Sequence, residues 1–579
     1  MTREITNYVL SITLFYSLSV SAQLVNSNAE LNTAITNATA GTTIILADKI
    51  WTNVQISINK NGTTANPITI KAQTPGSVFF EGNSYVKMGG QYIYFEGVIF
   101  RNPSGLTTST PVIDFRASST DCNNCKVTNV KIDAYNGTLS QQTEVFKWIL
   151  LRGQYNEVSY CSFLNKHGVG SIINDNRSST MANYHKIHHN YFAGRIPVGA
   201  VNDLNDQDAI RIGSSSTSLS DSYTEVYNNY FYDFSGEIEV ISNKSGNNKY
   251  YNNTFEDYQG TLTLRHGNGC EVYNNFFFAN GNALTGGIRV IGENHLIYNN
   301  YIEGVNSRKA DNSLSNGTGG INVSNGKPSS ALNEYYQVKN TTIINNTFVN
   351  CDYGLRIGTK INSELTLAPE NLVIANNIIY ENTSRAIQVV TAPTGTSSKY
   401  EGNIKQNGTW DITTGTNGNN DVGSGLLNSS TDFYRLIGGS VAIDAGLGSY
   451  LFLTEDITGG PRPVNFDAGA EEFGSNGTGK PYKQSDVGVA IGFGANTLSV
   501  SDASLATEDL MMYPVPIKDG YLNLSLKHQN LETVEVLDVL GRTVLKNYFE
   551  SSKGIINLSR LTKGTYFIRV QGITKQIIK

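Results

Sequence analysis

Proline, methionine and cysteine are all scarce in this chain, at 13, 5 and 5 of 579 residues. Charge is scarce too: Asp, Glu, Lys and Arg make up 16% of residues, with a formal net charge of −6. No strongly basic surface can be built from that, which excludes nucleic acid as the main partner. Past the amino terminus no apolar run approaches 18 residues, so no transmembrane anchor is expected. The odd cysteine count contains one CxxC, formed by Cys122 and Cys125 in DCNNC, and no second one to complete a zinc site. The pair could form a small-loop disulfide in an oxidising compartment, and the sequence leaves its disulfide state open. Cys161, Cys270 and Cys351 read as buried small apolar residues.

What the chain has instead is glycine (56), tyrosine (32) and a visible excess of asparagine. Such a composition suits a turn-rich β protein that exposes aromatics and amides, a surface fit for carbohydrate. The length exceeds an ordinary single domain, so either several domains or one repetitive architecture with appendages is expected. The opening MTREITNYVLSITLFYSLSVSA has an arginine near its start, an apolar stretch over Tyr8–Val20 and small residues before Gln23. It reads as a secretory signal peptide over residues 1–22, too short and too weakly apolar to span a bilayer.

One phrase recurs along the middle of the chain: an aromatic or aliphatic residue, two polar residues, then a bulky pair. It appears as IHHNYF, VYNNYF, YYNNTF, VYNNFF, IYNNYI, IINNTF and IANNII, with the second polar position at Asn190, Asn229, Asn253, Asn275, Asn300, Asn346 and Asn377. The closest copies lie 22 to 25 residues apart, and the wider gaps read as double coils or coils with loop insertions. That period predicts an all-β fold, a right-handed parallel β-helix in which no coil can bury its apolar face alone. Asparagine at one corner fits a turn where amides ladder along the stack and left-handed backbone is tolerated. The stretch ELNTAITNATAGTTIILADKIWTN reads as an amino-terminal cap, and AIDAG and DITGGPRPVNFDAGAEEFG as closing coils.

The β-helix is thus assigned to residues 23–474. From Ser475 to Asp509 the composition turns Gly/Ser/Ala-rich and reads as a linker over 475–509. Residues 510–579 alternate apolar and polar residues across turn signals, the pattern of a small β-sandwich. With its YPVP start, DVLGR turn, GTYFIRV segment and basic end, this region resembles the type A carboxy-terminal sorting domain of the type IX secretion system. The resemblance implies type IX machinery as a partner and a place outside a Gram-negative cell, secreted or on its surface.

The charged residues cluster in three neighbouring segments. SGEIEVISNKS places Glu237 and Glu239 two apart on a strand, facing one side, with Ile238 and Val240 expected inward and Lys244 further along. LTLRHG places Arg265 and His266 one coil on, and LNDQDAIRIG places Asn205 and Asp208 about one coil before. Coils stacked roughly 4.8 Å apart bring these positions together. Their oxygen donors suit calcium better than a nitrogen-loving metal, although composition and spacing leave a solvated charge network equally open. Arg289 in GGIRV lies a further coil along the same face, where it could grip a carboxylate bidentately. Arg356 in YGLRIG is a weaker candidate of the same kind, and a structural ion pair is the role it fits better. His188 and His189 read as corner residues.

These three segments, in this order and spacing, resemble polysaccharide lyase family 6, the chondroitinase B-like β-helix enzymes that include many alginate lyases. The resemblance covers about Leu24 to Gly474. It implies Lys244 as the Brønsted base, Arg265 as the acid, and Asn205, Glu237 and Glu239 as calcium ligands. Asp208 stands where alginate-active members often carry glutamate and is grouped with the metal set; His266, Arg289 and Arg356 are assigned to substrate. The implied reaction is β-elimination on an anionic uronate polymer. The modest basic count favours alginate over a sulfated dermatan-type chain. A surface adhesin that binds polysaccharide without cutting it would need neither Lys244 nor Arg265. A pectin-type hydrolase would need clustered aspartates, and none stands beside Glu237 and Glu239.

Overall fold

The computed structural model describes residues 22–493 and most of 510–579, leaving out 514–516, 518–519, 527–529, 539–541 and 571–572. All but the last residue of the expected signal peptide therefore lie outside the described residues. Ala22 itself opens the first strand, Ala22–Val25, paired in parallel with Thr43–Leu46. The chain divides into two units at Gly494.

Three long parallel sheets run the length of the first unit, two of 14 strands and one of 15. Each coil contributes one short strand to each sheet, which is the parallel β-helix. Its interior is built from like residues in register. Ile187, Val226, Tyr250, Val272, Ile297, Ile343 and Ile374 line up along the first sheet, all fully buried. Along the second, Phe163, Phe192, Phe231, Phe255 and Phe277 stack with centroids 4.6 to 5.1 Å apart. Coil spacing thus becomes ring spacing, and offset aromatic contact adds to area burial.

The recurrent asparagine pair has a division of labour. The first residue of each pair, as at Asn228, Asn252 and Asn274, takes positive φ, which asparagine tolerates better than most side chains. The second points inward and builds the ladder. Asn229 donates Nδ2 to Asn253 Oδ1 at 3.0 Å, Asn253 to Asn275 and Asn275 to Asn300 likewise. The ladder continues beyond the seven copies of the motif to Asn403 and Asn419. A helix over Asn28–Asn37, capped by the Ser27 hydroxyl, covers the amino-terminal end with Leu31, Ala34 and Ile35. Cys122 and Cys125 are disulfide-bonded; Cys161, Cys270 and Cys351 are buried thiols.

Two segments depart from the sequence reading. AIDAG and DITGGPRPVNFDAGAEEFG add no coil: after Val422 no described strand joins the three sheets. They cover the outside instead. Ala442, Ile457 and Ala468 pack on Phe276, Tyr301 and Ile378, and Leu453 and Phe466 on Tyr298, Ile344 and Ala375. Those outward apolar side chains would otherwise form an exposed patch. The chain from Ser475, read as linker, is packed on the β-helix as far as Phe493. Val487 is buried against Tyr191 and Tyr230, Tyr482 N donates to Thr254 Oγ1, and Gly488 N donates to the His189 carbonyl. Residues 494–509 lie outside the described residues.

The second unit forms two antiparallel sheets. Leu510–Tyr513, Tyr521–Leu526 and Lys553–Asn557 make one; Thr543–Phe549, Glu532–Leu537, Thr565–Val570 and Ile573–Ile578 make the other. Alternate residues such as Leu522, Leu524, Val534, Val536, Ile556, Ile568 and Val570 fill the core between them.

Candidate active site

The 15-stranded sheet carries the charged cluster on its outer face. Gly213, Lys244 and His266 are cross-strand partners at the ends of three successive strands, so residues 31 and 22 apart in sequence become neighbours. A cavity of about 490 Å³ opens there, lined by Asn205, Glu237, Glu239, Lys244, Arg265 and Arg289 among others. Six of the nine predicted site residues are therefore brought together.

Local backbone explains how both glutamates reach it. The strand Glu239–Lys244 meets its neighbour with a register shift between Glu239 and Ile241. This bulge breaks the expected alternation: Glu237, Ile238 and Glu239 all line the cavity. Ile238 was expected inward and is not. Val240 and Ile241 return to the core.

The other three predicted residues sit differently. Asp208 is fully buried beneath the cavity, where Arg211 binds it through Nη2 at 2.6 Å and Nε at 2.8 Å. Arg211 also pairs with Asp206 and lies 3.5 Å from Glu237 Oε1. His266 is 2% exposed beside Lys244, its Nδ1 without a hydrogen-bond partner. Burial, then Arg265, Lys244 and Arg289, push its pKa down to about 2, so it is neutral. Arg356 is 1% exposed and does not line the cavity; it donates to the carbonyls of Ser315 and Thr318 and to Gln388 Oε1. It braces the loop over 305–319 through carbonyls rather than through an ion pair.

Ten further cavity residues escaped the sequence reading, among them Asp206, Arg211, Lys309, Asn316 and Tyr335. Arg211 had a signal, since it shares the outward face of its strand across from Ser242, two residues before Lys244. The others stand on loops between strands, where no periodicity marks which side chain turns back to the sheet.

The electrostatics are those of crowded like charges. Burial first, then Asp208 and Glu239, push the Glu237 carboxyl up to about 9 against the opposing pull of Arg211. The cluster holds more negative charge than Arg211 offsets, and its oxygen donors suit a hard dication at Asn205, Glu237 and Glu239. Asp208 gives its Oδ2 to Arg211 and does not line the cavity, and its buried Oδ1 has no hydrogen-bond partner. Among the described residues no three His, Cys, Asp or Glu side chains form a metal cluster, so an ion here would rest on two carboxylates, the Asn205 amide and oxygens from outside the chain. Lys244 is shifted the opposite way: burial, then Arg211, hold its ammonium below the ordinary range, with Glu239 and Asp208 opposing. Burial also lowers Arg265. A less cationic amine beside carboxylates and two arginines can take a proton from a carbon acid whose own carboxylate is neutralised nearby.

Residues 25–424 match the family model described as Chondroitinase B, and residues 511–579 the model described as secretion system C-terminal sorting domain. Among solved structures, the PL6 family alginate lyase AlyGC is 32% identical over 72% of this chain and 56% of its own, with a TM-score of 0.65. An arginine-to-alanine variant of AlyGC gives 28% identity over 81% and 58%, with a TM-score of 0.66. A mannuronic acid specific family 6 lyase from human gut microbiota is 25% identical over 69% of this chain and 91% of its own, with a TM-score of 0.59. This chain spans a little over half the length of AlyGC. No curated protein sequence matches it.

Proposed function

Since the chain belongs to the chondroitinase B family, we propose that it is a calcium-dependent polysaccharide lyase that cleaves alginate by β-elimination. The observation that carries the reading is Lys244: an amine held below its ordinary pKa, in one cavity with Arg265, Arg289 and a pair of glutamates. The two solved relatives, AlyGC, described as an alginate lyase, and the lyase described as mannuronic acid specific, support alginate as the polymer.

In this reaction Lys244 Nζ accepts the proton on C5 of a uronate. The electron pair left on C5 forms the C4–C5 double bond, and the C4–O bond breaks to release the next sugar. Arg265 presents its guanidinium to the leaving oxygen; because arginine gives up a proton reluctantly, it stabilises that oxygen's charge while solvent completes protonation. Arg289 binds the carboxylate of the adjoining residue. Asn205, Glu237 and Glu239 would hold calcium, which when bound neutralises the reacting uronate's carboxylate and makes its C5 proton more acidic. Neutral His266 packs beside Lys244 without adding a competing charge. The sorting-domain match supports export by the type IX machinery to the cell surface or medium of a Gram-negative bacterium.

The test is ultraviolet absorbance of the unsaturated uronate product, on alginate and separately on dermatan sulfate, each with calcium and with a chelator. A rise on alginate that the chelator removes is expected. A rise on dermatan sulfate alone would reassign the substrate, and a chelator-resistant rise would remove calcium from the reaction. Binding without any rise would make the chain a polysaccharide-binding surface protein.

A further inference from the structure

The two arginines of the cavity present a problem that the sheet does not solve. Arg265 Nε and Arg289 Nη1 each lie 3.8 Å from the same oxygen, Glu239 Oε1. Two guanidinium groups sharing one carboxylate repel each other, and side chains this long lose orientation unless something else fixes them. We propose that Tyr335 is that element, a positioning residue that sets both arginines for substrate. The inference rests on the lyase reading above.

Three contacts carry it. The Tyr335 ring lies against both cations, 4.4 Å from the Arg265 guanidinium carbon and 5.6 Å from that of Arg289. Its hydroxyl accepts from Arg289 Nη2 at 2.7 Å. The two residues before it complete the hold on Arg265, whose Nη1 donates to the Glu334 carbonyl at 2.6 Å and Nη2 to the Asn333 carbonyl at 3.2 Å. Ring and carbonyls thus fix Arg265, whereas the hydroxyl fixes Arg289.

The loop that delivers Tyr335 is built for reach rather than for packing. It leaves the 15-stranded sheet after the strand Ile321–Ser324 and rejoins the β-helix at Thr342–Ile344, a strand of a 14-stranded sheet. Its base is closed by the Lys327 N–H donating to the Tyr335 carbonyl and by Gly326 and Leu367 exchanging two backbone hydrogen bonds. Lys327 Nζ ties it further to Glu334 at 2.5 Å and Glu364 at 3.0 Å. Ala331, Leu332 and Asn333 at its tip are exposed, so the tip contributes little core. A tyrosine needed only for packing has no use for an oriented hydroxyl.

The consequence is a split in kinetics. Arg289 grips the adjoining uronate, so loosening it costs binding; Arg265 serves the leaving oxygen, so loosening it costs turnover. On the polymer that the wild type cuts, Tyr335→Phe is expected to raise KM about five- to tenfold with kcat within about twofold, the loss of one charge-assisted hydrogen bond. Tyr335→Ala is expected to lower kcat about tenfold as well, through loss of the ring under Arg265. In an Arg289→Ala background Tyr335→Phe should change KM by less than about twofold, because its partner is gone. Kinetics equal to wild type in both single variants would overturn the proposal, and so would a Tyr335→Phe effect undiminished without Arg289. Should the wild type cut no uronate polymer, the lyase reading falls, and the same cycle run on the Kd for a uronate oligosaccharide decides the positioning role by itself.

Discussion

In the proposed reaction a single amine decides the chemistry at the residue scale. Lys244→Ala should lower kcat about a thousandfold, in the range of a lost general base, while oligosaccharide binding and thermal unfolding stay near wild type. Substantial residual turnover would remove Lys244 from the base role. Because the neutral amine is the active form and burial with Arg211 lowers its pKa, kcat should rise with pH through a midpoint below that of an ordinary lysine; a flat profile would contradict this. Asp175 offers a separate pH prediction. It is fully buried, its Oδ1 lies 3.7 Å from His185 Nε2, and burial outweighs Arg177 and the Ser222 hydrogen bond to push it up to about 7. His185 is held neutral, its pKa pushed down to about 3. A carboxyl that keeps its proton only when folded stabilises fully below the ordinary 3.8, and that contribution fades as pH rises through 7. Wild type should therefore lose about 4 kcal/mol from this group across that window, and Asp175→Asn should flatten that part of the curve of Tm against pH. Parallel curves for the two proteins would show that Asp175 is ionised in the fold. That Lys244, Arg265 and Arg289 share one cavity was legible at this scale because strand alternation and coil spacing place them on one face. Ile238 was misread because a bulge cancels alternation locally, and Arg356 because an outward arginine looks the same in sequence whether it faces a cavity or a loop carbonyl.

At the scale of the element, the repeated asparagine couples coil to coil. Asn253 Oδ1 accepts from the Asn229 backbone and side chain, and its Nδ2 donates to the Val226 carbonyl and to Asn275 Oδ1. Replacing it with alanine leaves several buried groups unpaired, each costing about 1–3 kcal/mol. Asn253→Ala should then destabilise the β-helix by about 3–5 kcal/mol in chemical denaturation. A cost below about 1 kcal/mol would mean that water enters the corner and replaces the ladder. The coils were readable because every repeat meets the same surroundings, so stacking selects the same residues again and again. The loops were not. Tyr335, Lys309 and Asp206 all answer to the same cavity, and a side chain used once leaves no period.

For the whole molecule, the same reasoning separates what belongs to the catalytic unit from what merely follows it. Composition placed a linker after Gly474, yet Pro481 and Val487 are buried, and Val489 N donates to Ser162 Oγ, 327 residues earlier in the chain. The segment runs back from the covering region past Thr254, Tyr230 and Tyr191 to Asn129 and Gly76, which Gly492 and Phe493 approach. Its few apolar residues are matched to grooves already present on the coils, so they show no periodicity and a Gly/Ser-rich composition hides them. A strap that spans so many coils resists their separation, since opening any one of them must first release it. A chain ending at Phe493 should therefore unfold at the temperature of the intact catalytic unit. One ending at Gly474 loses Pro481 and Val487 and uncovers the faces of Tyr191 and Tyr230, worth about 2–4 kcal/mol of apolar burial, and should unfold roughly 2–4 °C lower. Equal unfolding temperatures for the two would return residues 475–493 to the role of a linker, with the outer face of the β-helix stable uncovered.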